Sequence, residues 1–399
     1  MTQPAAFPAR LNRDAFALAP QLPRIRAELP VARVRLPNGA SVWLVTRHAD
    51  IREVLSDVVR FGSDGRFLTD PNRGGAVAAD PATSVCHGDI TQYDPPDHGR
   101  LRRMIASGFT ARRVQRLQPR IDEIVSGTLD AMEGTGSAVD LVQSFALPVP
   151  SLVICELLGV PYADRAEFQA RTVVRFDSTR SPAVRAAAIE ASLEYMSHQV
   201  ARERKEPGDG LLGTLVREHG DELDDRELTG IGDLLLLGGH ETTANTIALG
   251  SLLLLQNPEH IESLSDPDRL SAFVEELLRF VCVVQTGVPR VARQNTLLAG
   301  RSITRGERLL CYLPSGNRDE AFVGDPEFFD PTRKPGAHLA FGHGIHYCIG
   351  APLARMEMRA ALPALFGRFP TLRRHTPTEQ LTFRASSAVY GVESLPVVW

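Results

Sequence analysis

From Asp97 onward, apolar residues recur at three- and four-residue intervals, a spacing that predicts a succession of helices. It places them at about 98–108, 111–132, 149–158, 164–177, 182–205, 225–256, 268–281 and 352–366. Ahead of them, Ser41-Val-Trp-Leu-Val-Thr46 has the β-branched and aromatic content of a strand, and 49–56 reads as a helix. Further short strands are expected at 308–313, 381–384 and 395–399. The stretch 62–96 is rich in Gly, Asp and Pro and keeps no period; connections of that length are commonly functional. With no internal repeat or linker, the pattern predicts one mainly α unit over 1–399 with small β-sheets.

Two of these helices carry polar residues that need a reason. In 268–281, Leu270, Phe273, Val274, Leu277, Leu278 and Val281 form one stripe, with Glu275, Glu276 and Arg279 opposite. Periodicity alone makes these a solvated pair worth about 0.2–0.5 kcal/mol and does not choose between the two glutamates. The helix 225–256 is long, roughly 45 Å at 1.5 Å per residue. Its apolar run is broken by Gly238-Gly-His-Glu-Thr-Thr243, and glycine and threonine weaken a helix interior. Thr242 lies four residues after Gly238, so its hydroxyl can bond that carbonyl and loosen the backbone ladder. His240-Glu241 does not begin a zinc H-E-x-x-H motif, because position 244 is alanine.

Composition excludes more than it assigns. The 399 residues are 43% hydrophobic and 23% charged, ordinary for a globular protein. A net charge of -4 gives no reason to expect a nucleic-acid partner, and all but two of the 44 basic residues are arginine. The five cysteines are scattered, without a C-x-x-C pair, so neither a disulfide framework nor a zinc cage is indicated. The first ten residues lack the layout of a signal peptide. The best membrane-span candidate, 231–255, carries Asp233, His240, Glu241 and Asn245, which are costly in lipid. A cytoplasmic protein without a membrane anchor is expected.

One cysteine stands apart. Phe341-Gly-His-Gly-Ile-His-Tyr-Cys-Ile-Gly350 is a glycine-spaced loop that delivers Cys348 to a helix start, with Pro352 tolerated in the first turn. Gly342 and Gly344 permit positive-φ backbone, and Gly350 allows close approach to a flat partner. Unpaired N–H groups and the helix dipole there favour thiolate over thiol. A lone cysteine is most often a small buried residue, and His343 or His346 beside it would suit a nucleophile. Phenylalanine, three glycines and cysteine at these offsets argue against both. The run resembles the haem-binding motif of the cytochrome P450 family, F-x-x-G-x-x-x-C-x-G.

That resemblance extends over nearly the whole chain and carries specific expectations. It implies the P450 fold, a single large domain with haem b between the long central helix and the cysteine-loop helix. Cys348 becomes the iron's thiolate ligand, which favours O–O cleavage, and Phe341, Gly342 and Gly350 border the haem. Glu241 and Thr242 match the family's acid-alcohol pair for proton delivery to dioxygen. His98, Arg102, Arg290 and His346 correspond to propionate-binding positions. Glu276, Arg279 and Arg333 correspond to a buried supporting network, against the periodicity. The pocket is expected from lids at 62–96 and 164–205, with Leu235, Gly238, Val284, Gln285, Ala388 and Val389. The chain has no span left for a fused reductase, so electrons ultimately from NAD(P)H would arrive through a separate ferredoxin and ferredoxin reductase. Arg100, Arg103, Arg112, Arg113 and Arg116 are suited to steering an acidic ferredoxin.

The implied activity is hydroxylation or epoxidation of a medium to large, mostly apolar substrate by a monomeric enzyme. The arginine-rich, anchorless style resembles actinobacterial members that tailor specialised metabolites, antibiotics among them. The rival readings are oxidative coupling or peroxide-driven turnover, which need the relay less, and a haem-binding sensor without turnover, which leaves it without purpose.

Overall fold

The computed structural model describes residues 13–36, 40–64, 87–334 and 336–399, together with the backbone of the short strands at 5–6, 69–70 and 75–76. The expected lid at 62–96 therefore lies largely outside the described residues. The chain forms two compact units. One comprises Met1–Leu101, Leu278–Phe329 and Gly336–Cys348; the other comprises Arg102–Leu277, Asp330–Pro335 and Ile349–Trp399.

The first unit is built on a six-stranded sheet in the order Ala5–Ala6, Val31–Arg35, Ser41–Val45, Arg308–Cys311, Val288–Ala292, Phe61–Gly62. Val31–Arg35 and Ser41–Val45 pair antiparallel, Val31 opposite Val45. Ser41–Val45 then runs parallel to Arg308–Cys311, Trp43 opposite Leu309. Strand alternation sorts the side chains. Val42 and Leu44 face a cluster with Leu22 and Tyr312, whereas Trp43 and Val45 face one with Ile51, Leu55 and Phe61. The sheet is thus apolar on both faces, and the helix His48–Ser56 supplies Ile51, Val54 and Leu55 to one of them.

The second unit is helical. Its axis is the helix Asp225–Gln256, 32 residues or about 48 Å long, packed against Pro148–Leu158, Pro182–Lys205 and Ala351–Arg368. A capping box fixes its start, Asp224 accepting from the Glu227 N–H at 2.8 Å. The run expected at 111–132 divides into Ala111–Arg116 and Gln118–Gly134, because Pro119 opens a new first turn. A three-stranded sheet, Arg373–Arg374, Pro396–Val398 and Ala138–Asp140, includes the strand expected near the C-terminal end. No strand forms at 381–384. That segment contributes one isolated bridge, Phe383 to Val392.

Candidate active site

The cysteine loop closes on itself. The Cys348 N–H donates to the Phe341 carbonyl at 3.0 Å, and the Gly342 N–H to that of Leu339 at 2.8 Å. Gly342 and Gly344 both take φ of +73°. At Gly344 a Cβ would also lie 2.2 Å from the Leu55 carbonyl oxygen, so only glycine fits the loop against the helix His48–Ser56. Cys348 is exposed, two residues ahead of the N-cap Gly350 of Ala351–Arg368. The other described cysteines are buried, and burial pushes their thiols up: Cys155 and Cys311 to about 12, Cys282 to about 11. They are inert thiols; the accessible sulfur is that of Cys348.

Polar groups converge beside this loop within the same unit. The His98 and His346 rings meet edge-on with centroids 4.3 Å apart. Ser63 Oγ and His346 Nε2 lie 3.1 Å apart, and Ser63 N–H donates to Asp94 at 2.9 Å. Arg290, on the strand Val288–Ala292, is 5% exposed; burial pulls its pKa below the ordinary arginine value, opposed by the charge of Asp94. His98 and His346 are thereby brought together, and Asp94 and Ser63 join them, contacts that no local pattern signalled. Phe341 packs on the Tyr347 ring at 6.2 Å. Gln285 is buried and Val284 half-buried. Arg279 is 3% exposed and donates to the carbonyls of Asn317 and Pro326, each at 2.9 Å.

In the helical unit, Thr242 Oγ1 donates to the Gly238 carbonyl at 2.9 Å, the bond its spacing predicts. Thr246 repeats the contact on the Thr242 carbonyl at 2.8 Å, yet Asp225–Gln256 stays helical throughout. Glu241 is 2% exposed. Its Oε1 pairs with Arg384 Nη1 and accepts from Asn245 Nδ2 at 3.3 Å. The neighbouring His240 donates through Nδ1 to the Leu236 carbonyl at 2.6 Å, if that nitrogen carries the proton, and complete burial lowers its pKa. Gly238 borders open space, since a Cβ there would meet nothing within 4 Å, and Leu235 is buried. Val389 is buried; Ala388 is half-buried, with its N–H on the Phe176 carbonyl at 2.9 Å. Arg102 is half-buried, one turn after His98 on the helix Asp97–Ala106.

The solvated face that periodicity predicts for 275–279 is corrected. Glu276 is 3% exposed, 3.2 Å from Arg333 Nε, and accepts the Asp330 N–H at 3.1 Å. Glu275 makes a two-pronged pair with Arg355 of the cysteine-loop helix at 2.5 and 2.8 Å. Glu276 is buried and Glu275 half-buried, each paired with a partner far along the chain, and Arg355 was not anticipated.

An exposed cysteine sulfur on a glycine-shaped loop, with two histidines and a buried arginine in its unit, is a donor set that fits a haem with anionic propionates. The long helix carries an acid and a hydroxyl on consecutive residues. Together these are the parts of a haem-thiolate oxygenase, and comparison with known proteins places the chain in that class. The Cytochrome P450 family profile matches residues 184–266 and 268–389, and the chain belongs to this family. It is a P450 monooxygenase, with haem, dioxygen and externally supplied electrons as the family's requirements. It is similar to cytochrome P450-SU2 of Streptomyces griseolus, 41% identical over 96% of this chain and 94% of the relative. The mycinamicin IV hydroxylase/epoxidase of Micromonospora griseorubida is 40% identical over 100% of this chain and 99% of the relative. The solved structure of CYP105P1 in complex with filipin I superposes with a TM-score of 0.91 at 37% identity, covering 99% of each chain. Among the described residues, no helix is long and apolar enough to cross a membrane.

Proposed function

We propose that the protein is a class I haem b monooxygenase in which Cys348 ligates the iron and Glu241 with Thr242 delivers protons. The overall reaction is RH + O2 + 2 electrons + 2 protons giving ROH + H2O, the electrons passing from NAD(P)H through a ferredoxin reductase and a ferredoxin. Bound at Cys348, the haem supplies the site where dioxygen is reduced. Around it, His98, Arg102, Arg290 and His346 would hold the propionates, while Glu276, Arg279 and Arg333 brace the segments that flank the cysteine loop. Phe341, Gly342 and Gly350 shape the loop's haem-facing side.

The observation that carries the reading is the Thr242 hydroxyl, held on the Gly238 carbonyl one residue after the buried Glu241. Held that way, the hydroxyl has its oxygen lone pairs free to accept a proton and pass one on, with Glu241, the preceding residue, as the source once its carboxylate turns that way. A coupling or peroxide-driven enzyme needs this pair less, and a sensor needs it not at all.

The same proposal takes in a monomeric cytoplasmic enzyme, a single P450 domain, and a mostly apolar substrate lined by Leu235, Gly238, Val284, Gln285, Ala388 and Val389. Tailoring of a specialised metabolite suits the names of its relatives. Arg103, Arg112 and Arg116 are exposed and suit an acidic ferredoxin.

The test is the Thr242→Ala variant with ferredoxin, reductase, NADPH and 7-benzyloxyresorufin as surrogate substrate. Peroxide released per NADPH consumed should rise and resorufin should fall. Unchanged oxygen-dependent product formation would contradict the relay.

A further inference from the structure

The buried acid on the long helix is held by a segment far away in sequence. Arg384 Nη1 pairs with Glu241 Oε1 across 143 residues of chain, the carboxylate side chain 2% and the guanidinium side chain 16% exposed. Arg384 sits in a narrow chain reversal. Its N–H donates to the Gly391 carbonyl at 2.8 Å, and Phe383 bridges Val392. The opposite arm of that reversal touches the same turn of the helix. A Cβ at Gly391 would fall 1.6 Å from Asn245 Oδ1, so this arm can lie there only as glycine. Asn245 in turn donates to the Glu241 carbonyl at 2.8 Å and to its carboxylate at 3.3 Å. Both arms of one reversal are therefore seated on Glu241 and its partner, and between them lie Ala388 and Val389.

The charges around Glu241 sort simply. Arg384 is the one cation paired with it in the described contacts. His240 Nε2 is 4.0 Å from Oε2 but is buried and biased to the neutral form, and Asn245 does not titrate. Of the paired groups, only the guanidinium reaches solvent. A charge pair of this kind turns the carboxylate toward the 384–391 reversal, and its release frees the carboxylate to turn back toward Thr242.

We propose that Arg384 is the positioning residue of the proton relay, holding Glu241 in a solvent-linked resting orientation, and that the 384–391 reversal couples this latch to substrate contact at Ala388 and Val389. The inference rests on the assignment of Glu241 as the relay acid. Arg384 exchanges no atoms with substrate; it sets which way the acid faces. Without the guanidinium, the buried carboxylate loses the partner that holds its orientation. When the relay fails, the two electrons and two protons reduce O2 to H2O2, which leaves unused.

The test compares Arg384→Met, Arg384→Lys, Gly391→Ala, Glu241→Gln and the double variant Glu241→Gln/Arg384→Met. Infrared difference spectra against Glu241→Gln isolate the Glu241 carboxyl band in the folded protein without turnover. In Arg384→Met that band should move away from its wild-type position as the carboxyl loses its ion-pair partner, and in Arg384→Lys it should stay close to the wild-type position. With 7-benzyloxyresorufin and NADPH, peroxide per product should rise about tenfold in Arg384→Met, a fraction of the about 10²–10⁴-fold a positioned acid can supply. Gly391→Ala, which leaves every charge in place, should raise it in the same direction. The double variant should be no worse than Glu241→Gln alone. A Glu241 band unmoved in Arg384→Met, or a full additive defect in the double variant, would overturn the role of Arg384. If instead Glu241→Gln itself leaves the peroxide ratio unchanged, the relay assignment fails, while the infrared shift still reports the pair.

Discussion

Removing Asp233 tests how the helices read as a substrate lid are fastened. Asp233, on the long helix, accepts both guanidinium nitrogens of Arg175 at 2.8 and 2.9 Å and the hydroxyl of Ser192 at 2.7 Å. Arg175 belongs to the helix Arg165–Phe176 and Ser192 to Pro182–Lys205, so one carboxylate ties two helices to a third. The side chains of the ion pair are only 11% and 8% exposed, too buried to count as a surface bridge. Truncating one partner of a buried pair leaves the other charge stranded, which costs about 3–5 kcal/mol. Asp233→Ala should therefore lose about that much by urea unfolding read from tryptophan fluorescence, and Ser192→Ala about 1 kcal/mol for one hydrogen bond. Asp233→Leu combined with Arg175→Met should recover most of the loss, because an apolar replacement strands no charge. Substrate entry should quicken in Asp233→Ala as the helices loosen. An Asp233→Ala loss below about 1 kcal/mol would mean the pair is solvated like a surface bridge and fastens nothing.

Other consequences can be measured in parallel. Gly344→Ala places a Cβ against the Leu55 carbonyl at a positive φ, and should cut the fraction of protein that binds added haemin. Glu276→Gln weakens the pair with Arg333 that holds 330–333, and should lower stability by about 1.5–3 kcal/mol in the same unfolding assay. Glu357 is wholly buried, its Oε2 has no hydrogen bond among the described residues, and burial raises its pKa well above 4.5. The folded state then holds a proton that the unfolded state releases. Its stability is fully present below about pH 4.5 and is lost as pH rises toward the folded pKa. Glu357→Gln should thus be more stable than wild type at neutral pH, with the gap closing in acid; a gap constant with pH would contradict the assignment.

What the sequence disclosed follows from how far apart the interacting residues lie. The cysteine loop and the Thr242–Gly238 bond involve residues within ten positions, and both form as the spacing predicts. Periodicity alone would leave Glu276 solvated, because its face is buried by Arg333 and Asp330, which arrive from more than fifty residues away; only the family resemblance placed it in a buried network. Arg384 and Gly391 gave no local sign of meeting Glu241 and Asn245, and the segment expected as a strand forms a single bridge instead. Val31–Arg35 escaped notice because two arginines interrupt its apolar residues and its two buried valines, Val31 and Val34, face opposite sides of the sheet, so no period-2 stripe shows in the sequence. The strand Val288–Ala292 was hidden by its proline, which sits where Leu310 pairs beside it.

The central claim is that Cys348, as thiolate, holds the haem iron. Its most direct test is the carbon monoxide difference spectrum of the reduced, haem-loaded protein. Wild type should give the red-shifted band that a thiolate ligand imposes, and Cys348→Ser should lose it, whereas Cys155→Ser, Cys282→Ser and Cys311→Ser keep it. Retention of that band in Cys348→Ser would contradict the account.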